Sequence, residues 1–193
     1  NGNTIGAAND RTLLTGANLD VDIDLIGATN VITGDFIGAG EAGADDLKIS
    51  QTGSTNTTAI NVGASAATDD VRIIETRVGS SGETTYTIGN AATVQDVSVT
   101  VDVVGDDIDI TLLENSSSTG SDKTTDIDIA TDSDDVDIII THTGAGAHKT
   151  KLLCTGSCAG SDFTMSQTGA NSTDVDLTVT NATSSDVDIT ITD

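Results

Sequence analysis

Short runs in which Asp alternates with Val, Ile or Leu recur through the chain: Asp20-Val21-Asp22-Ile23-Asp24-Leu25, Asp107-Ile108-Asp109-Ile110, Asp135-Val136-Asp137-Ile138, Asp174-Val175-Asp176-Leu177 and Asp186-Val187-Asp188-Ile189. Strict alternation places the aliphatic side chains on one face of an extended segment and the carboxylates on the other, so each run reads as a half-buried β-strand. An Asp stands directly before the first aliphatic residue at positions 20, 46, 70, 96, 107, 126, 135, 174 and 186, with several intervals near 12 or 24–26. A regular interval of that size is the mark of a repeat architecture. The chain therefore reads as a stack of similar β-units, and no catalytic constellation stands out in it.

Two architectures bury a period-2 aliphatic face: a solenoid whose units stack as rungs, and a sandwich of antiparallel strands. The repeat favours an all-β solenoid of about seven two-strand rungs over residues 1–193 as a single domain. An antiparallel jelly-roll fibre subunit is the alternative. Fifteen candidate strands run from 12–14 to 187–191, and a Gly follows Thr or Val between several of them, as at Thr52-Gly53 and Val104-Gly105. Such a Gly suits a turn, and the unit of strand, Gly turn, strand and Asp-rich turn is near 24 residues long. Inside such a rung Val97, Val99 and Val101 face Ile108, Ile110 and Leu112, and Val136, Ile138, Val175, Leu177, Val187 and Ile189 are also expected to point inward.

Charge narrows the function. Seven Lys plus Arg stand against 31 Asp plus Glu, a net charge of -24. Nucleic acid and anionic membrane surfaces repel such a chain. No apolar stretch approaches the ~20 residues of a membrane-spanning helix, so no membrane insertion is expected. The chain begins at Asn1 without a charged-then-apolar leader and reads as a mature, processed form. The only cysteines, Cys154 and Cys158, are four apart in a loop-like stretch and suit a small disulfide ring formed in an oxidising compartment.

The segment Ile49-Ser50-Gln51-Thr52-Gly53-Ser54-Thr55-Asn56 carries Gln-x-Gly-x-x-Asn, and Met165-Ser166-Gln167-Thr168-Gly169-Ala170-Asn171 carries a version one residue shorter. This resembles the curlin repeat of bacterial curli fibres, whose units are two strands joined at a Gly-x-x-Asn arc. The resemblance implies that Gln51, Asn56, Gln167 and Asn171 are ladder residues inside a β-solenoid, and that subunits join end to end into extracellular amyloid fibres. Other units place Leu14, Arg77, Val103, His142 or Cys154 where the Gln would stand.

Double-acid turns make Asp45, Asp46, Asp69, Asp70, Asp106, Asp107, Asp134 and Asp135 the candidate metal ligands, because carboxylates aligned on successive rungs suit calcium. The competing reading is a solvated acidic face whose Asp residues cap turns and discourage lateral aggregation. No other cofactor is expected. His142 and His148, six apart around two glycines, read as surface loop residues.

The function expected from the sequence is structural rather than enzymatic: a secreted subunit of a biofilm or cell-surface fibre, its partners further copies of itself. Assembly proceeds by strand addition at open solenoid ends, with Val187, Ile189 and Ile191 as assembly residues. A donor-strand-exchange pilin, and a monomeric calcium-dependent adhesin or surface-binding solenoid with flat Thr rows, are the rival functions.

Overall fold

The computed structural model describes residues 2–6, 11–16, 18–38, 45–63, 68, 70–89, 94, 96–115, 122–129, 135–156, 158–169 and 172–192. The described strands are β1 (Gly2–Ile5), β2 (Thr12–Gly16), β3 (Asp20–Ile26), β4 (Thr29–Gly38), β5 (Asp45–Thr52), β6 (Thr55–Val62), β7 (Val71–Val78) and β8 (Ser81–Ile88). They continue as β9 (Val97–Val104), β10 (Ile108–Asn115), β11 (Lys123–Ile129), β12 (Val136–Thr143), β13 (Ala147–Cys154), β14 (Asp162–Thr168), β15 (Ser172–Val179) and β16 (Asp186–Thr192). Each alternating Asp run lies within or against one of them. The short β1 was not expected, since Asn3 and Thr4 carry no aliphatic alternation.

Successive strands alternate between two sheets. One stacks β3, β5, β7, β9, β11, β13 and β15 in order; the other stacks β4, β6, β8, β10, β12, β14 and β16, with β1 and β2 both paired to β4. Every described strand pair is parallel, from β3 with β5 to β14 with β16. The molecule is a β-solenoid, and the antiparallel jelly roll is set aside. The rung is slightly longer than the 24 residues expected: Leu47 pairs with Ile73 and Ile73 with Val99, steps of 26 residues. The step reaches 28 between Ile108 and Val136 and falls to 24 between Asp162 and Asp186.

Alternation within strands and register between them together build the core. Leu47, Ile73 and Val99 form one inward column, and Tyr86, Leu112, Ile140 and Met165 another. Val97, Val99, Ile108, Ile110, Val136 and Ile138 are buried as expected, while Val175 and Leu177 are partly buried against the core. Backbone hydrogen bonds run along the stack, so each rung closes the open edge of the one before it.

The turns explain the recurrent Asp before each aliphatic run. Asp70, Asp96, Asp107 and Asp135 have φ of 51°, 48°, 49° and 61°, a left-handed conformation that Asp tolerates better than most residues. Their carbonyls accept the backbone N–H of Asp45, Val71, Gly82 and Ile108 on the neighbouring rung. The connections also change sides. In the first half the short ones join odd to even strands (27–28, 53–54, 79–80), whereas in the second half they join even to odd strands (144–146, 169–171).

Candidate functional site

Four features beyond a plain aliphatic stack stand out: the two end faces, and two groups of polar side chains inside the solenoid.

At one end face, β15 and β16 have no strand on their outer side among the described residues. The inward residues Val187, Ile189 and Ile191 of β16 are 44%, 42% and 49% exposed, since no further rung covers them. They border an apolar hollow with Phe163, Met165, Val175 and Leu177, apart from Ile191, which lies beyond it. At the opposite face β3 is, among the described residues, the outermost strand of its sheet, and Val21 and Ile23 line a second apolar hollow with Ile5, Leu14 and Ile32.

The first polar group lies near that second face. Asn3, Asn30 and Asn56 are aligned by register, and their side chains form a ladder: Asn3 Nδ2 donates to Asn30 Oδ1 and Asn30 Nδ2 to Asn56 Oδ1, both at 2.9 Å. Asn56 Nδ2 in turn donates to the Val78 carbonyl at 3.2 Å. The ladder stops at Gly82, which occupies the next position in register. Gln51 is buried between Leu25 and Arg77 in the other sheet and donates to the Thr57 carbonyl at 3.4 Å, so it has no Gln neighbour. Next to it, Glu75 accepts hydrogen bonds from Thr58 Oγ1 (2.8 Å) and Tyr86 Oη (3.0 Å), and Arg77 Nη1 donates to Thr84 Oγ1 (2.7 Å). Burial lowers the Arg77 pKa and, with Glu75 beside it, raises that of Tyr86 well above its ordinary value.

The second group lies at the opposite edge of the core, farther along the stack. Glu114, Lys123, His142, His148 and Gln167 are all buried, together with Thr125 and Thr150. This corrects the expectation that the histidines are surface loop residues: both occupy inward strand positions. Their rings stand edge to face with centroids 5.5 Å apart. Gln167 Nε2 lies 3.0 Å from Thr150 Oγ1 and 3.3 Å from His142 Nδ1. As a donor, that amide nitrogen assigns the imidazole proton to Nε2. Nε2 lies 3.1 Å from Thr125 Oγ1 and 3.2 Å from Glu114 Oε2. Among the described residues, Lys123 Nζ and Glu114 Oε1 have no hydrogen-bond partner. Burial raises the Glu114 carboxyl to about 8 against the pull of Lys123, and holds His142 down at about 3. Lys123 is lowered by burial as well.

The acidic turn residues do not converge. Among the described residues no group of three or more His, Cys, Asp or Glu is arranged to hold a metal ion. Asp45 is buried and accepts a hydrogen bond from the Leu19 N–H at 2.8 Å. Asp46 pairs with Arg72 and Lys48, and the Arg72 hydrogen bond lowers its pKa. Asp70, Asp107 and Asp135 are the left-handed turn residues, and Asp106 lies beside Asp107 in an exposed turn. Asp69, Asp134 and Asn171 lie outside the described residues. Register instead lines up carboxylates along one sheet face: Glu83, Asp109, Asp137, Asp162 and Asp186 occupy successive strands. Cys154 and Cys158 form a disulfide with their Cα atoms 6.5 Å apart.

Comparison of the chain with protein-family models, with curated proteins and with solved structures finds no match.

Proposed function

We propose that the chain is a structural fibre unit whose solenoid ends stack on further copies, β15 of one continuing into β3 of the next. The observation that carries this reading is the likeness of those two strands. Asp174-Val175-Asp176-Leu177 would lie in parallel register over Asp20-Val21-Asp22-Ile23, setting Val175 over Val21 and Leu177 over Ile23. The inward columns would then run unbroken across the junction, and the strand edges at both faces would find partners. The Asn ladder and the resemblance to the curlin repeat support the same reading. The disulfide favours a secreted, extracellular protein.

A second reading, a monomeric surface-binding solenoid, is favoured by the outward positions of the even-numbered sheet. There Thr85 and Thr87, Thr141 and Thr143, Thr164 and Thr168, and Thr190 and Thr192 stand on a regular parallel lattice. The two readings differ in the size of the particle.

The deciding experiment is electron microscopy with sedimentation of the purified chain over a wide concentration range. Filaments with strands perpendicular to the axis and a ~4.8 Å axial repeat are expected. A particle that stays monomeric at every concentration overturns the fibre and leaves the surface-binding reading.

A further inference from the structure

We propose that the junction between copies is gated by its own carboxylates: Asp174 and Asp176 of one copy meet Asp20 and Asp22 of the next, weaken the junction at neutral pH, and strengthen it when they are protonated. The proposal rests on the end-to-end reading above and adds to it a condition for assembly.

Register decides which charges meet. Setting Val175 over Val21 and Leu177 over Ile23 also sets their outward neighbours Asp174 over Asp20 and Asp176 over Asp22, one strand spacing of ~4.8 Å apart. None of the strands that would face each other at the junction, β15 and β16 on one copy and β1, β2 and β3 on the other, carries a basic residue. Inside the chain the same sheet treats such pairs differently. Asp20 and Asp46 are in register, and Lys48 Nζ lies 3.4 Å from the first and 3.9 Å from the second. Asp102 and Asp128 are in register as well, and Lys151 Nζ lies 3.1 Å from Asp128. Even there, desolvation first and then Asp128 and Asp126 raise the Asp102 pKa.

The nearest cations stand one strand behind the junction. Lys149 and Lys151 of β13 face Asp174 and Asp176, but Lys151 also bonds Asp126 at 2.8 Å and Asp128 at 3.1 Å. On the other copy Asp46 and Lys48 of β5 face Asp20 and Asp22. In the second sheet β16 adds Asp186 and Asp188 to the same end, while Arg11, just before β2, is paired with Asp35 at 2.6 Å. A net charge of -24 on each copy adds repulsion between whole molecules.

Linkage sets the direction of the effect. A carboxylate that gains a like-charged neighbour on assembly holds its proton more tightly in the fibre than in the free chain, so assembly takes up protons and is favoured as the pH falls. Two directly opposed like-charge pairs weaken the junction constant about two- to thirtyfold.

Sedimentation of the whole chain, with electron microscopy of the pellet, measures the critical concentration that tests this. The wild-type value should fall from about pH 7.5 to about pH 5, above the isoelectric point near 4.1. Asp174→Asn with Asp176→Asn should lower it about two- to thirtyfold at neutral pH, and so should Asp20→Asn with Asp22→Asn. Combining all four should add little, because either pair alone already removes the repulsion. Asp109→Asn with Asp137→Asn, which removes as much charge from the middle of the stack, should leave the value near that of wild type. A critical concentration unaffected by pH and by the end variants, or lowered as much by the mid-stack variant, overturns the gate and leaves the fibre standing. Absence of filaments at every pH and in every variant overturns the fibre reading and the gate with it.

Discussion

Arg77 occupies the space that Gly82 leaves open: a Cβ at Gly82 would come within 2.9 Å of both Arg77 Cζ and Arg77 Nε. Gly82 sits where the Asn3, Asn30 and Asn56 ladder would have its next member, so the guanidinium replaces a side chain that the sequence omits. The two residues are therefore coupled. Gly82→Asn should destabilise the fold by ~1–3 kcal/mol through overpacking, while adding Arg77→Gln to it should recover part of that loss by extending the ladder. Denaturant melts of the two single variants and the double variant measure the coupling; strictly additive effects would show that the residues do not share the space.

Val187→Asp or Ile189→Asp should abolish assembly while leaving the fold largely intact. Both side chains are nearly half exposed in the single chain, so a carboxylate there stays hydrated. At a junction it would be buried and unpaired, which costs several kcal/mol. Circular dichroism and sedimentation of the variants check both halves of this expectation, and fibres of unchanged length would contradict the end-to-end junction.

Along the row Glu83, Asp109, Asp137, Asp162 and Asp186, like charges stand on neighbouring strands with no basic residue among them. The Asp109 pKa is raised by partial desolvation first and by Asp137 and its other acidic neighbours next. Removing one charge from the middle should help: Asp137→Asn is expected to stabilise the chain by ~0.2–1 kcal/mol at neutral pH. Calcium should raise the melting temperature more than NaCl of equal ionic strength, because screening is unspecific and carboxylate bridging is not. Coincident melting curves in the two salts would show a merely solvated face.

His142 gives the stability a defined acid limb. Burial lowers its pKa from 6.5 to about 3, so the unfolded chain takes up this proton first as the pH falls. The stability that its neutral form contributes is complete above about pH 6.5 and is lost as the pH drops toward about 3. Glu114, raised to about 8, acts with the opposite sign down to about pH 4.5, so the falling midpoint should show in thermal melts between about pH 4.5 and pH 3, and His142→Phe should flatten that slope. An unaltered slope in the variant would assign the acid limb to other groups.

The alternation of Asp with aliphatic residues made the strands legible, because a period of two fixes both the conformation and the buried face. The parallel pairing was harder to read: like sequences stack equally well in the mind as rungs or as hairpins, and only register distinguishes them. The buried charges were missed although their parity was visible. Val71, Ile73, Glu75 and Arg77 share one face of β7, and Lys123 opens the inward set Thr125, Ile127 and Ile129 of β11. The histidines were misplaced as well. The glycines between them signal a turn, but His142 and His148 stand on the strands flanking it, each at an inward position.

The exchange of long and short connections between the two edges gives the stack a direction. A solenoid of identical rungs looks the same after a shift of one strand spacing, and an image of it can be slid along its axis without penalty. Here the first half carries its short connections on one edge and the second half on the other. A polymer of such units would repeat only once per chain, and its two ends would be distinguishable in projection. That asymmetry is a built-in ruler, by which a micrograph could report where each copy begins and which way it points.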